Sequence, residues 1–126
     1  MKHSRDVDEN CYPFIYEAGH LCDFEAFTDE LCGHIGAAVS LLDGIAFDDV
    51  RADLAQMQPL AFHANGSLRG RLAVGEDDIT WLKARLAHWR AQPGGTLDHF
   101  VLPRGAQPVP FLHLGRSACK KAIRAL

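Results

Sequence analysis

From residue 23 onward the apolar positions fall three and four apart. Phe24, Phe27, Leu31, Ile35, Ala38 and Leu42 form one stripe, the spacing of an amphipathic helix. Asp43-Gly44 predicts its stop, since glycine takes a left-handed cap cheaply. A second helix is predicted from Asp48 or Asp49, both good N-caps, with Val50, Leu54 and Met57 facing inward. Pro59 interrupts that pattern and predicts a kink or a restart, and Asn65-Gly66-Ser67 marks the end, leaving a linker over 66–75. A third helix opens on Glu76, Asp77 and Asp78, acids that suit a helix N-terminus. Its stripe is Ile79, Leu82, Leu86 and Trp89, and Pro93-Gly94-Gly95 closes it. Residues 96–109 carry two prolines and a glycine and read as a loop. Pro110 then suits the first turn of a fourth helix, whose inner face is Phe111, Leu114, Ala118, Ala122 and Ala125. Small residues on that face predict close packing.

The expected fold is therefore all-α: a bundle of about four main helices over residues 23–126, preceded by a flexible N-terminal segment, 1–22. No strand pattern or internal repeat stands out. A chain of 126 residues, 48% apolar and 23% charged, is long enough for one real core. Its formal charge of −3 offers no overall attraction to nucleic acid or to an anionic membrane, so any anion site must be local. No apolar run approaches the roughly 20 residues of a membrane span. The polar stretch 1–10 lacks the apolar centre of a signal peptide, and a cytoplasmic location is expected. The four cysteines (Cys11, Cys22, Cys32, Cys119) then read as reduced thiols rather than a disulfide framework.

Local charge is where chemistry enters. Arg116, Lys120 and Arg124 are four apart, so they stack along one side of the last helix, with Lys121 beside them. Like charges at that spacing repel by a few tenths of a kcal/mol per pair. The row reads either as an anion site or as a solvated face near a helix C-terminus, where cations are welcome. Asp29, with Glu25 one turn earlier, borders the first apolar stripe. A carboxylate there is costly unless paired, and Arg116 is a natural partner because a guanidinium can fork across it; the alternative is that Asp29 is simply exposed. Cys11, His20, Cys22, Cys32 and His34 match no standard zinc module, and Cys32 and His34, two apart on a helix, do not face the same way. Trp81 and Trp89 suit packing better than base stacking. His113 is left without a role. No Gly-x-Ser-x-Gly elbow occurs.

Two segments carry a resemblance. Residues 29–36, Asp-Glu-Leu-Cys-Gly-His-Ile-Gly, are similar to the Asp-Glu-Leu-Asn and Ile-Gly of the PduO-type ATP:cob(I)alamin adenosyltransferase family. Residues 100–124, Phe-Val-Leu-Pro-Arg-Gly through Leu-His-Leu-Gly-Arg-Ser-Ala-Cys-Lys-Lys-Ala-Ile-Arg, resemble that family's Phe-x-Leu-Pro-x-Gly loop and the arginine-rich helix after it. The resemblance implies transfer of the 5′-deoxyadenosyl group of ATP, with Mg, to cob(I)alamin in a homotrimer whose sites lie between subunits. It places Phe100 beside the corrin, Asp29 and Arg116 as a salt bridge at the subunit boundary, and Lys120, Lys121 and Arg124 at the nucleotide. The family's N-terminal Thr-Arg-Thr-Gly-Asp-x-Gly phosphate loop has no counterpart in residues 1–28. Its arginine pair is here Lys120-Lys121, its glutamate is Ile123, and its further C-terminal helix lies past Leu126. A second expectation thus stands beside the enzyme: a catalytically inactive corrinoid- or nucleotide-binding relative.

Overall fold

A computed structural model describes residues 4–6, 8, 10–11, 13–42, 47–95 and 98–126, except for the side chains of residues 13 and 14. A 3-10 turn, Pro13–Tyr16, leads into the helices α1 (His20–Ser40), α2 (Asp48–Ser67), α3 (Glu76–Arg90) and α4 (Val109–Ala125). Among the described residues there is no strand. The all-α bundle expected from periodicity is what forms. α1 starts at His20, so residues 20–22, which pattern alone left with the leader, are helical, and Cys22 is buried. The Asp43-Gly44 stop lies outside the described residues.

α1 is the hub, with α2 and α4 packed along it. Ile35, Ala38, Leu42 and Leu54 make one core cluster, joined by Leu31, Met57, Phe111 and Leu112. Phe24, Ala122 and Ala125 make a second at the other end, with Phe27 and Leu68 against it. On α4 the buried positions are Gly115, Ala118, Ala122 and Ala125, a three-four-three ladder that lets two backbones approach. Leu114, expected inside, is 48% exposed, and Gly115 takes its place beside Leu31 and His34. At Gly36 a methyl group would run into the Gln58 amide. That amide donates to the Cys32 carbonyl at 3.2 Å, and the Cys32 thiol donates to the Gln58 carbonyl at 3.7 Å. The Ile-Gly pair of the motif thus sits where α2 crosses close to α1.

Three expectations are corrected. Pro59 neither restarts nor ends the helix; α2 is continuous from Asp48 to Ser67 with the proline inside it. The proline removes the hydrogen bond to the carbonyl of Ala55, but both residues are exposed, so water can satisfy the freed carbonyl. Asp48 and Asp49 stand in the first turn behind Phe47 and stabilise α2 through its dipole rather than as caps. The third correction concerns α3. Its apolar stripe is real, but among the described residues it buries none of its members: Ile79 is 38% and Leu86 50% exposed. Asp78 accepts from the Gly75 amide at 2.8 Å and closes its N-terminus. The helix is tied to α2 by Asp53, which accepts from Arg85 Nε at 2.7 Å and Trp89 Nε1 at 2.6 Å.

Candidate functional site

The cation row occupies the outer side of α4. Counting about 100° per residue, Arg116, Lys120 and Arg124 lie opposite the Gly115–Ala118–Ala122–Ala125 ladder, and all three are exposed. Among the described residues none has a hydrogen bond or ion pair. Arg116 alone also reaches inward, to the edge of an apolar cleft of about 450 Å³ bounded by Leu31, Ile35, Met57, Leu82 and Phe111. Lys121 differs. Its Nζ donates to both oxygens of Glu30, at 2.6 and 2.9 Å, and lies 5.1 Å above the Phe27 ring. That ammonium holds the Glu30 carboxyl below its ordinary range, against the opposing effect of burial. His34 Nε2 stands 3.6 Å from the same carboxylate.

Asp29 is exposed. It lines a separate hollow with Cys11, Ile15, Cys22, Glu25, Ala26 and Asn65. The Arg116 cleft uses Leu31, His34 and Ile35 of the same helix. Asp29 and Leu31 are two apart, about 200° round α1, so the two acid and base candidates face opposite sides of one helix and do not meet within a chain. The buried acid of this region is Glu25, 5% exposed. Arg69 forks across it, Nε to Oε1 at 2.7 Å and Nη2 to Oε2 at 2.8 Å, and reaches Glu17 at 3.0 Å. This fork lowers the Glu25 pKa and outweighs desolvation. Asn65 donates to the Glu25 carbonyl and to Thr28 Oγ1. Sequence reasoning missed Arg69 because a linker base, with Arg71 two residues on, carries no periodic signal; the available signal was Glu25, adjacent to Phe24 on the core stripe.

Phe100 lies in the connection between α3 and α4, where every described residue from 98 to 107 is exposed. Its ring is bare on all sides, 105% exposed. Next to it His99 Nδ1 lies 2.7 Å from Asp98 Oδ1, and this contact holds the Asp98 carboxyl low. Phe100 touches neither the cleft nor Asp29's hollow. Within one chain, then, the structure offers three separate pieces: an aromatic loop, a row of unpartnered cations, and an acid on the far face of α1. Among the described residues no group of three or more His, Cys, Asp or Glu gathers as a metal site.

The sequence description of cobalamin adenosyltransferases matches residues 20–126, all four helices and the aromatic loop. The chain belongs to the cobalamin adenosyltransferase family. A cobalamin adenosyltransferase of Cupriavidus metallidurans is 35% identical over 100 residues, 78% of this chain and 53% of that protein. A corrinoid adenosyltransferase of Bacillus subtilis is 30% identical over 102 residues, 76% of this chain and 52% of its own length. The chain spans about half the length of these relatives. No solved structure matches it. Both the Asp29–Gly36 stretch of α1 and the Phe100–Arg124 stretch fall inside the family match. No helix among the described residues is long and apolar enough to cross a membrane.

Proposed function

We propose that this cobalamin adenosyltransferase family member transfers the 5′-deoxyadenosyl group of ATP to cob(I)alamin, in the cytoplasm, as a homo-oligomer, by resemblance a trimer. The observation that carries the reading is the exposed row Arg116, Lys120 and Arg124, one turn apart and without partners among the described residues. Three uncompensated cations in a line fit a polyphosphate better than they fit one another. In the reaction the cobalt displaces triphosphate from the 5′ carbon, and negative charge gathers on the departing group. Cations already fixed on a helix would stabilise that charge with little reorganisation. By resemblance Lys120, Lys121 and Arg124 are placed toward ATP, and of these Lys120 and Arg124 have no partner among the described residues. By resemblance Mg would arrive on the nucleotide phosphates, whose oxygens suit it.

Phe100 fits the other substrate. A phenyl ring wholly exposed on a loop is costly to leave in water and suits stacking on a flat macrocycle. Asp29 and Arg116 lie on opposite sides of α1, so their proposed salt bridge would join two copies of the chain; Arg116 would then be compensated in the assembly, and Lys120 and Arg124 would be left to the phosphates. That requirement supports an oligomer with sites between subunits.

The assay is incubation of the protein with ATP and chemically reduced cobalamin, followed by absorbance for light-sensitive adenosylcobalamin. Product is expected. A second reading, a non-catalytic corrinoid- or nucleotide-binding relative, is favoured by Lys120-Lys121, which keep the charge of the family's arginine pair but not its bidentate fork. Calorimetric binding of cobalamin or ATP without product would establish it; silence toward both would remove both readings.

A further inference from the structure

Lys120 and Lys121 are neighbours in sequence but about 100° apart around α4, and that step separates their surroundings. Lys121 spends its ammonium on Glu30 and on the face of Phe27. Lys120, one turn from Arg116 and one from Arg124, has no partner among the described residues. We propose that Glu30 is a positioning residue of the anion site: it holds Lys121 against α1, so the polyphosphate contact falls to Lys120 in line with Arg116 and Arg124. The proposal rests on the ATP-binding reading of this row and refines it, because the family resemblance alone puts both lysines on the nucleotide.

The physical reason is competition. A carboxylate bound through both oxygens already satisfies the charge of Lys121, and its stem lies along Phe27. To join the row, that side chain must break both contacts and swing around the helix. A triphosphate approaching the outer face meets Lys120 without displacing anything. Glu30 also sets a negative charge beside the row, so removing it should free a fourth cation and lessen repulsion of the anion together.

Two measurements on the full chain test this. In the first, a limiting amine-acylating reagent is followed by peptide mass spectrometry. The pair is about 40% exposed on each side, 46% for Lys121 and 38% for Glu30, so protection is modest: Lys121 should react about two- to fivefold more slowly than Lys120. The difference should vanish in Glu30→Gln. Equal rates in the unaltered protein overturn the proposal. In the second, inorganic tripolyphosphate is titrated calorimetrically. Lys120→Met should weaken binding about tenfold, Lys121→Met should change it less than about twofold, and Glu30→Gln should tighten it about two- to fivefold. Equal weakening by the two lysine substitutions overturns the division of labour. If the unaltered chain takes up no tripolyphosphate although Lys121 is protected, the anion role of Lys120 and the ATP reading fall together, while the hold of Glu30 on Lys121 stands. Circular dichroism of each variant confirms that it is folded.

Discussion

Asp53 is the sharpest test of how α3 is held. The helix buries none of its own residues, so its docking cannot depend on a deep apolar contact. Asp53 is only 14% exposed and Arg85 28%, and the Asp53 Oδ2 atom accepts both Arg85 Nε and Trp89 Nε1. Hydrogen bonds to a charged group contribute about 1.5–3 kcal/mol each. The Arg85 half is partly solvated and screened, which brings it to about 1 kcal/mol, and the indole half adds about 1.5 kcal/mol. Asp53→Ala should therefore lower the free energy of opening α3 by about 2–3 kcal/mol, a fall of about 30- to 150-fold in amide protection. Hydrogen exchange read by mass spectrometry would follow peptides from 76–90 against peptides from 20–40. Loss confined to α3 is expected, with Asp53→Asn intermediate because it keeps an acceptor oxygen. The reasoning fails if both regions lose protection by the same factor, since α3 would then open only with the whole molecule, or if neither changes.

The remaining predictions are simpler to measure. Ala118 is 0% exposed between α1 and α4, so Ala118→Leu should overpack the contact and cost about 1–3 kcal/mol in urea unfolding. The fork from Arg69 depresses the Glu25 pKa below the ordinary 4.5. The folded state thus favours the ionised form, a stabilisation present above pH 4.5 and lost as pH falls through the lower folded value. The melting temperature should drop in that acid window, and Glu25→Gln should flatten the drop; an equal acid loss in the variant would refute it. Burial, with Glu25 nearby, raises the Cys22 thiol pKa, whereas Cys11 is exposed. Iodoacetamide should modify Cys11 first and Cys22 last among the four. Arg116→Ala should delay elution in size-exclusion chromatography at low concentration, and an unchanged volume would count against a pairing with Asp29 across subunits.

The helices were legible because their signals are local. The α1 stripe from Phe24 to Leu42, the acids opening α3, and the Pro93-Gly94-Gly95 stop each depend on neighbours within a turn or two, and the structure keeps all of these. The failures depend on what lies across the gap. Periodicity shows that Ile79, Leu82, Leu86 and Trp89 share a face, but it cannot say whether another element covers that face, and here α2 covers it only in part. Leu114 looked like an inner residue because leucine carries an apolar signal. Gly115 carries none, yet it lies on the buried ladder where α4 meets α1. Pro59 read as a break because the rule assumes that the carbonyl it frees is buried, and that of Ala55 is not.

The same reasoning bears on the candidate site, where the decisive quantity is rotation about a helix axis. Glu25 and Asp29 are one turn apart and both acidic, but a turn of four residues advances by about 40° beyond a full circle. That drift is enough to put Glu25 under Arg69 and leave Asp29 in solvent. One residue on, Glu30 swings to α4 and takes Lys121. Two residues on, Leu31 faces the cleft that Arg116 borders. A motif written as Asp-Glu-Leu therefore faces three different surroundings: a hollow on the surface, a lysine on the same chain, and the core. If Asp29 pairs only with the Arg116 of another copy, chemistry that needs both should weaken per chain on dilution, while the Glu30–Lys121 contact should not change. Measuring adenosylcobalamin formation and Lys121 acylation over one dilution series separates the two, and a specific activity that stays constant well below the dissociation concentration would show that the intersubunit pair is not required.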